Sequence, residues 1–304
     1  MAKKIELDSE LILDFELPRP EDGHKNTFGT AIICAGSEFM TGAAVLATGA
    51  ALRSGAGLVR VFSEKNTLTA VSCNEPCALL ELRPDSTAGL IRKAEELCKT
   101  AGSVLIGPGI PQDYKDMEAL TEAFLANAKS IVLDAGVFTD KKDILERLKE
   151  RIRARSVPAV LTPHIGEFAR LTELTNSEVA ADTEGLALKF AQENNCVLVL
   201  KSAETLVATP DGKLFYNDYA NSGLAKGGSG DVLAGLLAGL LAQGFEPYKA
   251  ACSAVYIHSL AGEAAADDLG PRAMLPDDLV FYFSDAFCEV GWEDDEDEED
   301  DEDD

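Results

Sequence analysis

SVLIGPG at residues 103–109 and SIVLDAG at 130–136 share one design: a short, almost continuously apolar run that stops at a glycine-bearing break. A strand with solvent on one side alternates apolar and polar residues, so an unbroken run indicates a strand covered on both faces. Working outward, the pattern recurs in AIICAG (31–36), GLVRVFS (57–63), PAVLTPH (158–164) and VLVLKS (197–202). Helix-length segments lie between the runs at 42–54, 87–100, 114–127, 142–155 and 182–194. Strand and helix alternating in this way predict a mostly parallel sheet with helices on both sides, a three-layer αβα fold. ETLVATPDG followed by KLFYN breaks the rhythm and predicts a hairpin turning at Asp211-Gly212. DVLAGLLAGLLAQG (231–244) and PYKAACSAVYIHSLAGEAAADD (247–268) then read as helices whose small residues suit close packing.

The chain has 304 residues, 46% of them apolar, enough for one large core. Residues 1–23 read as a lead-in. Leu11, Ile12, Leu13 and Phe15 can seed a short helix there, ended by Pro18 and Pro20. Residues 24–292 carry no compositional break and read as one domain. Residues 293–304 are all acidic and predict a disordered, solubilising tail. The formal charge is −26, or −14 without those twelve residues. A chain so acidic is a poor match for nucleic acid or for anionic membrane surfaces. The seven cysteines form no CxxC pair and are expected to be buried thiols. There is no apolar signal segment or 18-residue apolar run, so a reducing cytoplasm is the expected setting.

In a parallel sheet, ligands bind outside the carboxyl ends of the strands, and the unusual residues gather there. AKGGSGDVLAG (225–235) is the richest segment. Gly227, Gly228 and Gly230 let backbone amides approach a ligand, and Asp231 stands at the start of an apolar helix, where free N–H groups attract anions. Asp231 suits either a helix cap or a base beside a transferred phosphoryl group. The order GxxxxGK[ST] is missing, so this is no Walker loop. His164 and Glu167 lie in LTPHIGEF; His164 suits a ligand contact, and Glu167 either magnesium or a helix cap. His258, inside an apolar helix, reads as a core histidine, and His24 with Lys25 as anion contacts or surface residues. Lys201 follows VLVL and needs a partner, either a phosphate or a carboxylate such as Glu204. Asp134, after SIVL, poses the same question, with a cap as the plain answer.

These segments together resemble the ADP/ATP-dependent NAD(P)H-hydrate dehydratase family of the ribokinase-like superfamily. HKNTFG, AGSEFMTGAA, ALRSGAGLVRV, IGPG, LDA, LTPHIGEFARL, LVLKSAETLVATPDG, NSGLAKGGSGDVLAGLLAGLLAQG and AACSAVYIHSLAGEAA carry the resemblance, in the family's order, over about residues 24–290. It implies a ribokinase-like fold and repair of NADH and NADPH damaged by hydration of the nicotinamide ring. The hydroxyl of the (6S)-hydrate, NADHX or NADPHX, is phosphorylated and phosphate is then eliminated. Bacterial-type members use ADP and release AMP, eukaryotic ones use ATP, and the lack of a targeting segment favours ADP. The resemblance implies Asp231 as base and the amides of Gly228, Ser229 and Gly230 as the phosphoryl cradle. It places the hydrate against Ala43, Gly109, His164 and Asp231. The adenine nucleotide falls to Lys201, Ser202, Ala203, Glu204, Thr205 and Gly230, with magnesium on the phosphates and Glu167 reaching it through water. It also implies a homo-oligomer; the small-residue helices from Val232 onward suit either its contact face or simple core packing. An NAD(P)H-hydrate epimerase is expected to work beside it as a separate protein.

The chain departs from the family's pattern at several points. Lys201-Ser202 replaces Lys-Gly, Ala35-Gly36-Ser37 replaces two glycines before serine, and Met40 replaces a tyrosine. Gly136 replaces the second acid of LDADAL, Lys25–Gly29 is altered, and Pro276-Asp277-Asp278-Leu279 stands for Ser-Asp-Leu. Two rival readings remain: a small-molecule kinase of the same superfamily, and an idle nucleotide-binding protein in which these departures mark decay.

Overall fold

The computed structural model describes residues 3–293 of the chain. All of the acidic tract except Glu293 lies outside the described residues, and so does the expectation made for it.

The apolar runs form the strands the pattern predicts. In chain order these are β2 (Thr30–Cys34), β3 (Leu58–Ser63), β5 (Ser103–Ile106), β6 (Ser130–Leu133), β7 (Ala159–Leu161) and β8 (Cys196–Leu200). The hairpin is β9 (Thr205–Ala208) and β10 (Leu214–Asn217), with Gly212 in its turn at φ +91°. Two strands escape the pattern. β1 (Lys4–Glu6) pairs parallel with β10, and β4 (Leu79–Leu82) pairs parallel with β3. One ten-stranded sheet results, in the order β1-β10-β9-β8-β7-β6-β5-β2-β3-β4, in which only β9 runs antiparallel to its neighbours.

Alternate residues of each inner strand feed two cores. Ile33, Val61, Leu105, Val132 and Val199 face α2 (Thr41–Arg53), α10 (Ser229–Gln243) and α11 (Pro247–Leu269). Ile32, Phe62, Ile106, Leu133 and Leu198 face α4 (Thr87–Cys98), α5 (Met117–Asn127), α6 (Lys142–Arg153) and α9 (Thr183–Asn194). The lead-in joins the fold through β1 and α1 (Ser9–Leu13), where Leu7 and Ile12 are buried in the first core. Four short helices complete the described residues: α3 (Lys65–Asn74), α7 (Ile165–Thr172), α8 (Asn176–Ala181) and α12 (Phe283–Glu289).

The small residues of α10 serve this packing, the choice that the sequence leaves open against a face for self-association. A Cβ on Gly235 would lie 2.2 Å from the Ala47 carbonyl oxygen, and one on Gly239 1.9 Å from Ser54 Oγ. α10 therefore lies directly on α2, and Val232 to Ala242 are buried within the chain. The cysteine expectation needs correction. Cys34, Cys98, Cys196 and Cys252 are buried, but Cys73 and Cys77 are exposed where α3 ends and turns toward solvent.

Candidate active site

Order along the sheet reverses at β2, which has β3 on one side and β5 on the other. Chain leaving β2 and β5 must part there, opening a crevice at the carboxyl ends. Gly36 and Gly109 follow those two strands. Gly36 (φ +77°) donates its N–H to the Pro108 carbonyl at 2.7 Å. A Cβ on Gly109 (φ +63°) would meet Ala43 Cβ at 2.7 Å and the Met40 carbonyl oxygen at 2.8 Å. Ala43 and Gly109, expected to share a ligand, thus lie side by side.

Next along the same edge come Asp134 after β6, Thr162 to His164 after β7, and Lys201 after β8. Backbone ladders carry on past the strands: the Asp134 N–H donates to the Ile106 carbonyl, Thr162 to Leu133, and Lys201 to Pro163. Lys201 Nζ donates to Asp134 Oδ1 at 2.9 Å, and Thr162 Oγ1 donates to the same oxygen at 2.7 Å. Asp134, 1% exposed, is therefore the lysine's partner. Glu204 is not, because it faces β1 and accepts from Lys4 Nζ at 2.6 Å. Burial opposes the charge on Lys201, yet Asp134, Glu167 and Asp231 together raise its pKa, so it stays protonated.

α10 begins over this group. Gly228 (φ +112°) turns the chain into the helix, and a Cβ on Gly230 would lie 3.3 Å from Lys201 Nζ. Ser229 Oγ is buried without a hydrogen-bond partner, a free donor beside the helix-start amides. The Ser229 carbonyl accepts from His258 Nε2 at 3.0 Å, so His258 is the satisfied core histidine the sequence predicts. Burial lowers its pKa to about 4, which leaves it neutral. Asp231 stands in the first turn of α10, which has no side-chain capping bond. Burial first, and the charge of Asp134 second, raise its pKa to about 6 against the pull of Lys201.

His164 and Glu167 have a local role as well. The His164 ring caps α7 by accepting from the Gly166 and Glu167 amides, and Glu167 Oε2 accepts the His164 N–H at 2.9 Å. His164 keeps 57% of its side chain exposed at the strand end, whereas Glu167 is buried. Ser202, Ala203 and Glu204 form the turn between β8 and β9, and Thr205 Oγ1 donates back to the Ser202 carbonyl. Ser202 does not have a positive φ, so serine fits where the family carries glycine. Gly136 likewise has a reason in the packing. A Cβ there would lie 2.0 Å from the Ile110 carbonyl oxygen, so the loop bearing Gly109 rests directly on it.

Two sequence candidates fall elsewhere. His24 and Lys25 precede β2, at the opposite end of the sheet, and are exposed. A groove of about 640 Å³ lined by Phe28, Arg53, Phe245 and Trp292 lies at that same end. Sequence reasoning missed Thr162, whose one signal, like that of Asp134, is polarity directly after a buried run. No described helix is long and apolar enough to cross a membrane.

Comparison with known proteins agrees with this fold. The family model described as NAD(P)H-hydrate dehydratase matches residues 31–284. The ADP-dependent (S)-NAD(P)H-hydrate dehydratase of Bacillus subtilis is 33% identical over 265 residues, covering 86% of this chain and 90% of that one. The bifunctional NAD(P)H-hydrate repair enzyme Nnr of Moorella thermoacetica is 36% identical over 271 residues, and there the match spans 87% of this chain but 50% of the relative. The chain thus spans about half the length of such bifunctional relatives. The crystal structure of the ADP/ATP-dependent NAD(P)H-hydrate dehydratase from Bacillus subtilis, co-crystallised with ATP/Mg2+, superposes with a TM-score of 0.83 at 31% identity, covering 94% and 99% of the two chains. The fold is ribokinase-like, and the chain belongs to the NAD(P)H-hydrate dehydratase family.

Proposed function

We propose that this chain restores NADH and NADPH from their (6S)-hydrates, using ADP as phosphoryl donor and releasing AMP and phosphate. One observation carries the reading: a half-buried carboxyl, Asp231, stands in the first turn of a helix beside Gly228, Ser229 and Gly230, with its pKa raised to about 6. A base of that strength is ionised at neutral pH yet can still take a proton. Water is a poor leaving group and phosphate a good one, so phosphorylating the hydroxyl makes the dehydration feasible.

In this reading Asp231 takes the proton of the hydrate's ring hydroxyl as its oxygen attacks the β-phosphorus of ADP, and AMP departs. The amides of Gly228, Ser229 and Gly230 steady the charge on the transferred group. The carbon–oxygen bond then breaks, phosphate leaves, and the neighbouring ring carbon loses a proton as the double bond returns. Ala43, Gly109 and His164 hold the hydrate. Lys201 through Thr205, with Gly230, hold the nucleotide, and Lys201 is already fixed by Asp134.

No group of three or more acidic, histidine or cysteine side chains among the described residues is arranged to hold a metal ion. Magnesium in this reading would keep several waters and bind through the phosphates. Its charge would offset that of the phosphates, and Glu167 would reach it through water. The catalytic unit is residues 24–292, and an NAD(P)H-hydrate epimerase is the companion activity that supplies the (6S) form. One apolar surface open to self-association is β4 at the sheet edge, where Leu80 is 42% and Leu82 58% exposed. Sedimentation tests this: Leu80→Lys should yield monomers, and an unchanged oligomer places the contact elsewhere.

The functional test incubates the protein with NADH hydrate, magnesium and either ADP or ATP, and follows the reduced-nicotinamide absorbance. Recovery with ADP and formation of AMP are expected. Accumulation of a stable phosphate ester of another alcohol, without recovery, would identify a kinase instead.

A further inference from the structure

Arg83 follows β4, the edge strand, and is only 5% exposed. An arginine cannot shed its charge, and burial normally demands a carboxylate partner. No carboxylate of the described residues lies within ion-pair distance of it. Its Nη2 instead donates to the Gly36 carbonyl and, at 3.0 Å, to Ser63 Oγ. Ser63 Oγ in turn donates to the Ala35 carbonyl at 2.6 Å. The remaining Nε and Nη1 groups are buried without acceptors, and the guanidinium lies 5.6 Å from the Tyr114 ring centre.

These bonds converge on one loop. Ala35 and Gly36 leave β2 at the point where the order of strands reverses. The Gly36 N–H holds Pro108, and a Cβ on Gly109 would come within 3.2 Å of Gly36 Cα. Loop, Gly109 and Ala43 therefore interlock, and Arg83 grips the loop from beneath through both of its carbonyls, one directly and one through Ser63.

We propose that Arg83 is a positioning residue for the hydrate half of the site, an inference that rests on the function proposed above. It holds the Gly36 loop in the shape against which Gly109 and Ala43 close. It also places a fixed positive charge, not neutralised by any close carboxylate, under the end that receives an anionic dinucleotide. The nucleotide half, at Lys201 after β8 and Gly230 at the start of α10, has no bond to Arg83.

The test compares wild type with Arg83→Met, Arg83→Lys and Ser63→Ala, using NADH hydrate, ADP and magnesium. Loss of two hydrogen bonds from a charged donor predicts a rise in the hydrate KM of about 10-fold or more for Arg83→Met. The KM for ADP and kcat should stay within about 3-fold, because their determinants are untouched. Arg83→Lys should recover part of the loss, since an ammonium keeps the charge but lacks the planar fork. Ser63→Ala, which keeps the arginine, should move the same parameter by less and covers the case in which Arg83→Met fails to fold. Amide hydrogen exchange supplies a readout without turnover: residues 35–40 should exchange faster in Arg83→Met, while 201–205 do not change. Equal changes in both KM values, or unchanged exchange at 35–40, would overturn the proposal. Wild type without dehydratase activity but with the exchange difference would count against the proposed reaction and for the loop clamp.

Discussion

Asp231→Asn should make the free protein more stable at pH 8 while disabling it. The wild-type carboxyl has a folded pKa of about 6 against an ordinary aspartate value of 3.8. The sign follows from proton counting. Below pH 3.8 the group is protonated whether the chain is folded or not, so its burial carries no ionisation penalty. Between the two values the folded state holds more protons than the unfolded one, and stability falls as pH rises. Above about pH 6 the loss is complete. A gap of roughly two pH units at 1.36 kcal/mol each gives ~3 kcal/mol as an upper bound. Asparagine has the same shape and no charge to bury, so it escapes this loss. Urea denaturation of both proteins, without nucleotide, at pH 8 and near pH 4 reads the difference. The variant should be stabilised at pH 8 by up to ~3 kcal/mol, with most of the gain gone near pH 4. A variant that is equally or less stable at pH 8 refutes the claim that the fold holds this carboxylate against its own preference.

The same pKa sets the acid limb of the pH–rate profile: kcat/KM should fall as pH drops through about 6, and a limb near pH 4 would point to a different base. Lys201→Met leaves Asp134 buried without its cation, so unfolding by denaturant should show a loss of about 3 kcal/mol or more, with weakened ADP binding in calorimetry. A loss below 1 kcal/mol would mean that water already satisfies Asp134. Gly109→Ala forces a side chain into φ +63° and against Ala43, so the hydrate KM should rise while the KM for ADP holds.

Legibility in the sequence followed the physical range of each interaction. Strands buried on both faces announce themselves by composition, which is why β2, β5, β6, β7 and β8 were readable. β1 has three residues and owes its place to a register with Leu214 to Tyr216, some 210 residues away. β4 is an edge strand with exposed leucines, so no burial pattern marks it. The capping box at His164 and Glu167 is local, but histidine is an unusual cap and hid it.

The pairing of Lys201 with Asp134 depends on β6, β7 and β8 being laid side by side. Spacing along the chain cannot supply that, and Glu204 was the nearer choice. The same limit applies to Glu204 and Lys4, which meet across the sheet's far edge. The small-residue helices show the reverse: their composition reads correctly as close packing, and the structure supplies the partner of α10, which is α2. The glycines at 228 and 230 and the aspartate at 231 were readable because a helix start needs no distant partner to present its amides.

The most direct measurement is the initial rate of NADH recovery from its (6S)-hydrate with ADP and magnesium, for wild type and Asp231→Asn side by side. Wild type should restore the absorbance with one AMP and one phosphate formed per ring, and the variant should be slower by about 10²- to 10⁴-fold. Recovery by both proteins at the same rate, or by neither, would contradict the account.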